Sequence, residues 1–125
     1  MTVPTDRSFT SSHEWLKIEG DVATLGITHF AVNELTDITF VEMKPAGESV
    51  SAGDPVGEVE SVKATSDVYA PVGGEIIEVN DALSDDPSLL NSDPYGKGWL
   101  IKIKMSGGQG DGLMDAAAYS AAYDG

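Results

Sequence analysis

Apolar and polar positions alternate along most of this chain, and the alternation breaks at short turn signals. Glu14 to Ile18 and Asp21 to Thr28 read as two strands flanking Glu19-Gly20-Asp21, a hairpin signal. In the second run Ala23, Leu25 and Ile27 share a face by period two. Thr28 predicts a cap for a short helix running through Leu35, because its hydroxyl accepts from free backbone N–H groups of the first turn. Phe30, Ala31 and Leu35 are the expected buried side of that helix. Ile38 to Met43 is the next strand, ended at Lys44-Pro45, since proline donates no ladder bond. Trp99 to Met105 carries the cleanest pattern, with Trp99, Ile101, Ile103 and Met105 on one face and Lys102 and Lys104 on the other. Asp86-Pro87-Ser88-Leu89-Leu90 predicts a single helical turn with proline near its start. Leu113 to Tyr123 is alanine-rich and predicted helical. It follows Ser106 and a glycine-rich run from 107 to 112, read as a flexible link.

The centre of the chain has two further runs and a turn between them. Downstream, Ser66, Val68, Ala70 and Val72 alternate with Thr65, Asp67 and Tyr69. Upstream, Val56 and Val59 fall on opposite faces of one strand, which predicts a bulge or partial exposure there. Lys63 falls at the turn, where a side chain meets water. Gly47-Glu48-x-Val50-x-Ala52-Gly53-Asp54 echoes Gly74-Glu75-x-Ile77-x-Val79-Asn80-Asp81 on either side of this segment. Two similar β units with the lysine turn between them predict a flattened β sandwich or barrel. The chain is read as mainly β with short helices and a C-terminal helix. Residues 1–125 form a single domain in this reading, with a core over about 9–105, a link at 106–112 and a helix at 113–123.

Composition narrows the function. The formal charge is −14, from 21 acids against 7 bases. Nucleic acids and anionic membrane surfaces both require cationic protein surface, so neither is an expected partner. Partners with basic docking patches are favoured. With no cysteine there is no disulfide, thiolate metal site or protein thiol for redox work. His13 and His29 are the only histidines and lie apart, so no metal site is expected. No apolar stretch reaches the ~18 residues of a membrane span. The beginning Met1-Thr-Val-Pro-Thr-Asp-Arg-Ser-Phe has no apolar signal core, which favours a bacterial cytoplasm over a mitochondrial matrix reached after loss of a presequence.

Lys63 is the only cation between Lys44 and Lys97, an interval it shares with eleven acidic residues. An exposed lysine in a turn ordinarily serves solubility. A lysine that is itself reactive needs burial or a cationic neighbour, whereas Glu60 and Asp67 favour its ammonium form. The residues therefore argue against Schiff-base chemistry and are compatible with acylation by another enzyme. No Ser-His-Asp order, metal cluster or glycine-framed nucleophile appears. Glu60 and Asp67 are too exposed on a hairpin tip to act as a general acid and base. The run from 107 to 112 lacks the spacing and the lysine of a phosphate loop. Trp15 and Trp99 read as core or rim packing rather than a ligand cage.

The segment Gly57-Glu58-Val59-Glu60-Ser61-Val62-Lys63-Ala64-Thr65-Ser66-Asp67-Val68-Tyr69-Ala70-Pro71-Val72-Gly73-Gly74-Glu75 resembles the lipoylation segment of the H-protein family of the glycine cleavage system. Ser12-His13-Glu14-Trp15 resembles the family's N-terminal element. Val22-Ala23-Thr24-Leu25-Gly26-Ile27-Thr28 resembles its next strand, and Val79-Asn80 through Asn91-Ser92-Asp93-Pro94-Tyr95-Gly96-Lys97-Gly98-Trp99 to Lys104 its C-terminal half. The resemblance covers about residues 9 to 105. The chain departs from the pattern at His29, where the family usually has an acid, at Thr36, where it usually has glycine, and in the glycine run 107 to 112.

The resemblance implies the lipoyl/biotinyl-carrier fold, a barrel-sandwich hybrid. It implies lipoic acid attached to Lys63 by an amide, which takes the formal charge from −14 to −15. It also implies a non-catalytic, monomeric shuttle that carries an aminomethyl group from a pyridoxal-phosphate glycine decarboxylase to a tetrahydrofolate-dependent aminomethyltransferase. Dihydrolipoamide dehydrogenase would reoxidise the arm, and a lipoyl-attaching enzyme would read Glu60, Ser61, Val62 and Ala64. Ser12, Glu14 and Asp67 match positions that hold the amine end of a parked arm, with Ile27, Ala31 and Leu35 on the apolar side of the groove. The plainer role for Glu14 and Asp67 is that of solvated surface acids. A biotin carrier would have Met on both sides of the lysine, where Val62 and Ala64 stand. A lipoyl domain of a 2-oxoacid dehydrogenase would usually read Asp-Lys-Ala and be shorter. A relay that hands lipoyl groups to such complexes remains a second reading.

Overall fold

The computed structural model describes residues 6–106 and 113–123. The two N-terminal strands predicted from alternation form β2 (Glu14–Glu19) and β3 (Val22–Ile27), joined at Gly20, which takes φ 65°. β1 (Ser8–Phe9) adds to β2. After β3, Thr28 caps α1 (His29–Leu35), its side chain accepting from the Ala31 N–H at 3.3 Å. The buried residues of α1 are Val32 and Leu35. Phe30 and Ala31, expected inside, are half-buried, because the helix turns Val32 to the core and Phe30 toward His13.

β4 (Ile38–Met43), β5 (Ser49–Val50), β6 (Pro55–Ser61), β7 (Thr65–Tyr69) and β8 (Gly74–Val79) follow. The short helices α2 (Ala82–Asp85) and α3 (Leu89–Ser92) then lead to β9 (Ile101–Met105), and α4 (Ala116–Tyr123) ends the described chain. The helical turn expected over 86–90 thus lies on both sides of Pro87 rather than across it. β9 is shorter than the Trp99–Met105 reading: Leu100 is also fully buried, and Trp99 packs half-buried in a different cluster.

The strands form two antiparallel sheets. One has the order β1-β2-β3-β9-β8-β5 and the other β4-β6-β7. Leu16, Ala23, Leu25, Ile76, Ile101 and Ile103 from the first meet Ile38, Val41, Val56, Val59 and Val68 from the second in one core. This is the expected flattened sandwich. Val56 and Val59 both reach the core because the β6–β7 register shifts between Pro55 and Gly57, the first of the two outcomes, bulge or partial exposure, that their spacing predicted.

The internal echo is not a structural repeat. Its two copies lie side by side, Ser49 opposite Glu75 and Val50 opposite Gly74. Val50 is buried, whereas its counterpart Ile77 is exposed and Ile76 takes the core position. A register shift between Ile76 and Glu78 turns Ile77 outward, so the two copies do not bury matching positions.

A second cluster joins Phe9, Trp15, Ala116 and Tyr119, with Phe30, Tyr95, Trp99 and Met114 around it. The core therefore extends beyond residue 105. The C-terminal helix begins at Ala116 rather than Leu113, because Met114 is bound to Phe9 by a pair of 2.7 Å backbone hydrogen bonds. Of the expected link at 106–112, residues 107–112 lie outside the described residues. Trp15 lies across Gly26, where a Cβ would stand 2.4 Å from the indole, so only glycine admits the ring.

Thr36 ends α1 with φ 65° and ψ −134°, a conformation that a β-branched residue resists. Thr36→Gly is expected to raise the stability of the fold by about 1 kcal/mol, the released backbone strain exceeding the added flexibility of the unfolded chain. Denaturant unfolding checks this, and Thr36→Ala should not reproduce the gain.

Candidate functional site

Lys63 stands on the turn between β6 and β7, and it is exposed, as are Val62, Ala64, Thr65 and Asp67. The turn is built by one side chain. Ser61 Oγ accepts from the Lys63 N–H at 3.1 Å and the Ala64 N–H at 3.0 Å, and donates to the Ala64 carbonyl at 3.1 Å. The Ser61 N–H also donates to the Ala64 carbonyl at 2.8 Å. The Val62 N–H is tied to the Asp37 carbonyl at 3.1 Å, just after α1. The hairpin tip is thus held by backbone bonds while the lysine side chain points into water. Of the four residues expected to guide lipoyl attachment, Ser61 shapes the turn. Val62 is 69% exposed, an apolar side chain offered at the tip. Glu60 sits half-buried in β6 with Thr39 Oγ1 donating to its carbonyl at 3.3 Å.

β7 is the edge of its sheet. In the β6–β7 register, Thr65, Asp67 and Tyr69 alternate with Ser66 and Val68, and the Tyr69 N–H turns away from β6 to Glu14 Oε2 at 3.3 Å. The edge therefore leads from the lysine turn to Glu14. Thr65 to Tyr69 spans about 13 Å at the usual rise of a strand.

Glu14 is 1% exposed. Its Oε1 accepts from Thr10 Oγ1 at 2.6 Å and Ser12 Oγ at 2.6 Å, and its own N–H donates to Thr10 Oγ1 at 3.0 Å. None of the described salt bridges includes it. A buried carboxylate held only by neutral donors has acceptor capacity left for a cation. Ser12 and Glu14 are thus brought together. Asp67 is not in this set: it is exposed, and its recorded partner is the Tyr69 hydroxyl at 3.5 Å. Tyr69 connects the two acids, one through its ring hydroxyl and the other through its backbone. Ile27 and Leu35 are 5% and 8% exposed within the main core, and Ala31 is half-buried against it. Ala31 is therefore the one of the three with surface to offer in this conformation.

The residues that the sequence reading missed are Thr10 and Tyr69. Hydroxyls four and two residues ahead of the acid, Thr10 and Ser12, were a visible signal. Tyr69 acts on Glu14 through its main chain, so its side-chain identity carried no sign of the contact.

Next to Glu14, His13 takes φ 70°, stacks on Phe30 at 4.4 Å between centroids and shares a 2.8 Å hydrogen bond with Tyr119 Oη. Tyr119 Oη also meets Thr28 Oγ1 at 2.8 Å. Burial lowers the His13 pKa, while the nearby Glu14 and Glu34 charges oppose that shift. Among the described residues no cluster suited to a metal ion occurs. No helix there is long and apolar enough to cross a membrane.

A family model described as glycine cleavage H-protein matches residues 7–124. The glycine cleavage system H protein of Beutenbergia cavernae is 49% identical over 125 residues, covering 100% of this chain and 99% of the relative. That of Methylacidiphilum infernorum is 52% identical over 120 residues, covering 95% and 94%. A crystal structure of a glycine cleavage system H protein from Mycobacterium marinum superposes with a TM-score of 0.91 at 43% identity, covering 98% of this chain and 99% of that one.

Two outcomes follow from the geometry. Ser61→Ala removes the acceptor for two N–H groups of the turn, so exchange at the Ala64 amide is expected to rise about tenfold, measured by NMR hydrogen exchange. His13 has a folded pKa below the ordinary value of 6.5, so the unfolded chain takes up its proton first. Stability from this residue is complete above pH about 6.5 and is lost as pH falls toward the folded pKa. His13→Asn, which tolerates the positive φ, is expected to flatten the fall of Tm between pH 7 and pH 5 relative to the unsubstituted protein.

Proposed function

The chain belongs to the glycine cleavage H-protein family, and on that basis we propose that it is the lipoyl-bearing shuttle of glycine cleavage, with Lys63 as the attachment point. The observation that carries this reading is a single exposed amine on a hydrogen-bonded hairpin whose free edge leads to a buried carboxylate at Glu14, one that no salt bridge among the described residues includes. These residues fit a tethered arm with an amine at its end. Lys63 gives a modifying enzyme an unhindered nucleophile. Ser61 holds the turn in one shape for that enzyme to read. The reach from Thr65 to Tyr69, about 13 Å, suits an extended lysyl side chain bearing an eight-carbon acyl group.

When bound, the lipoyl group supplies the reversible sulfur chemistry that a chain without cysteine lacks. The protein supplies position. Ser12 and Glu14 offer oxygen acceptors to a protonated amine, and charge assistance makes such bonds about twice as strong as neutral ones. Asp67 adds a negative charge at the mouth of this path. Ala31 offers apolar surface beside it, and Ile27 and Leu35 back that surface from the core. Tethering raises the effective concentration of the cargo at each partner to the order of mM.

In this reading the chain turns over no substrate alone. It serves a pyridoxal-phosphate decarboxylase, a tetrahydrofolate-dependent aminomethyltransferase, dihydrolipoamide dehydrogenase and a lipoyl-attaching enzyme. Glu42, Glu58 and Asp67 lie opposite one another across β4, β6 and β7, a row of acids that suits basic docking surfaces on those partners.

Intact-mass spectrometry of protein isolated from its source, with peptide mapping, is expected to find a lipoyl increment on Lys63. In a reconstituted mixture Lys63→Arg should abolish glycine-dependent one-carbon transfer; an unchanged rate would overturn the assignment. Glu14→Gln combined with Asp67→Asn should speed ammonia loss from the loaded protein. Equal decay in both proteins would remove the parking role while leaving the attachment site standing.

A further inference from the structure

We infer that Thr10 is a positioning residue that makes the Glu14 pocket selective for the amine-loaded arm over the empty one. This rests on the parking role of Glu14 proposed above. The argument is one of proton direction. Thr10 Oγ1 has a single proton. It accepts from the Glu14 N–H at 3.0 Å and lies 2.6 Å from Glu14 Oε1. A carboxylate oxygen only accepts, so the Thr10 proton points to Oε1. Ser12 Oγ lies 3.3 Å from Thr10 Oγ1 and 2.6 Å from the same Oε1. With the Thr10 proton committed, Ser12 receives no donor from Thr10, and its own proton also goes to the carboxylate.

Two consequences follow for anything reaching the pocket. Ser12, exposed at its mouth, presents only lone pairs. Glu14 Oε2 carries one long bond, 3.3 Å from the Tyr69 N–H, and keeps acceptor capacity. The site is therefore all acceptor and negatively charged. A protonated primary amine brings three donors and a positive charge. A thiol brings one weak donor and no charge. The selection arises because the hydroxyl at residue 10 is pinned at both ends, and a methyl group in its place leaves Oε1 one donor short and the Glu14 N–H without its acceptor. That loss frees the carboxylate to rotate.

The test uses lipoylated full-length protein with Thr10→Val, Thr10→Ser and Glu14→Gln. The readouts are the NMR shifts of the Ser12 and Glu14 amides with the arm loaded, reduced or oxidised, and the rate of ammonia release from the loaded form. Thr10→Ala replaces the valine variant if the latter does not fold. The unsubstituted protein and Thr10→Ser are expected to shift on loading only. Thr10→Val should lose that difference and release ammonia about tenfold faster, the size of one charge-assisted hydrogen bond. Its spectrum with the oxidised arm should match the unsubstituted protein elsewhere in the fold. If Thr10→Val keeps the loaded-arm shifts and release rate while Glu14→Gln loses both, the role of Thr10 is overturned and parking stands. If neither variant changes either readout, the parking role fails and this inference with it.

Discussion

Burying the Glu14 carboxylate is the constraint that ties the N-terminal loop to the edge of the second sheet. At 1% exposure the group has lost its water, and an unsatisfied charge there would be costly. The chain meets the requirement from two directions. The loop from Thr10 to His13 folds back so that two hydroxyls reach one oxygen, and β7 brings a main-chain N–H to the other. The same bonds fix where β7 lies against β2, and so where the lysine turn lies relative to the pocket. A local electrostatic need thereby sets a distance between two remote parts of the site.

The loop that serves Glu14 is also held from outside. His13 N–H donates to the Thr10 carbonyl at 3.1 Å, and the Thr28 N–H donates to the His13 carbonyl at 2.9 Å. The His13 ring meets Tyr119, which stacks on Phe9 and shares a hydrogen bond with Thr28 at the start of α1. The C-terminal helix is therefore part of the pocket's scaffold. Among its described residues none joins the main core, yet the buried ring of Tyr119 closes the cluster that keeps residues 10–13 in place. On the far side of Trp15, the Arg7 guanidinium stands 4.5 Å over the indole and donates to the Tyr95 carbonyl. β2 is thus clamped along its outer face as well as its inner one.

Charge organises the other face. Directly opposed acids on β4, β6 and β7 repel one another, and sheets normally avoid such pairs. The row is tolerated because it is wet and screened. Two of its three strands, β6 and β7, lead into the turn that carries Lys63.

Much of the architecture was legible in the chain because it rests on short-range rules. Period-two alternation marked β3 and β7, the opposed faces of Val56 and Val59 predicted a bulge or partial exposure, and Thr28 declared the start of α1. Lys63 stood out in the sequence by its isolation among acids, and the structure places it exposed on a turn. Reading failed where a residue's fate depended on a distant partner. Phe30 left the core because His13 lay beside it, and the last helix began late because Met114 had bound Phe9. The echo of 47–54 in 74–81 misled because sequence similarity does not see the register shift between Ile76 and Glu78, which forms where β8 pairs with β9. Local spacing by itself determined most of the strands and set Lys63 on a turn between two of them. Only the tertiary structure decided that Glu14 is buried and Asp67 is not, and that a tyrosine's main chain joins the pocket, because those outcomes depend on how two sheets meet, and no window of sequence contains both.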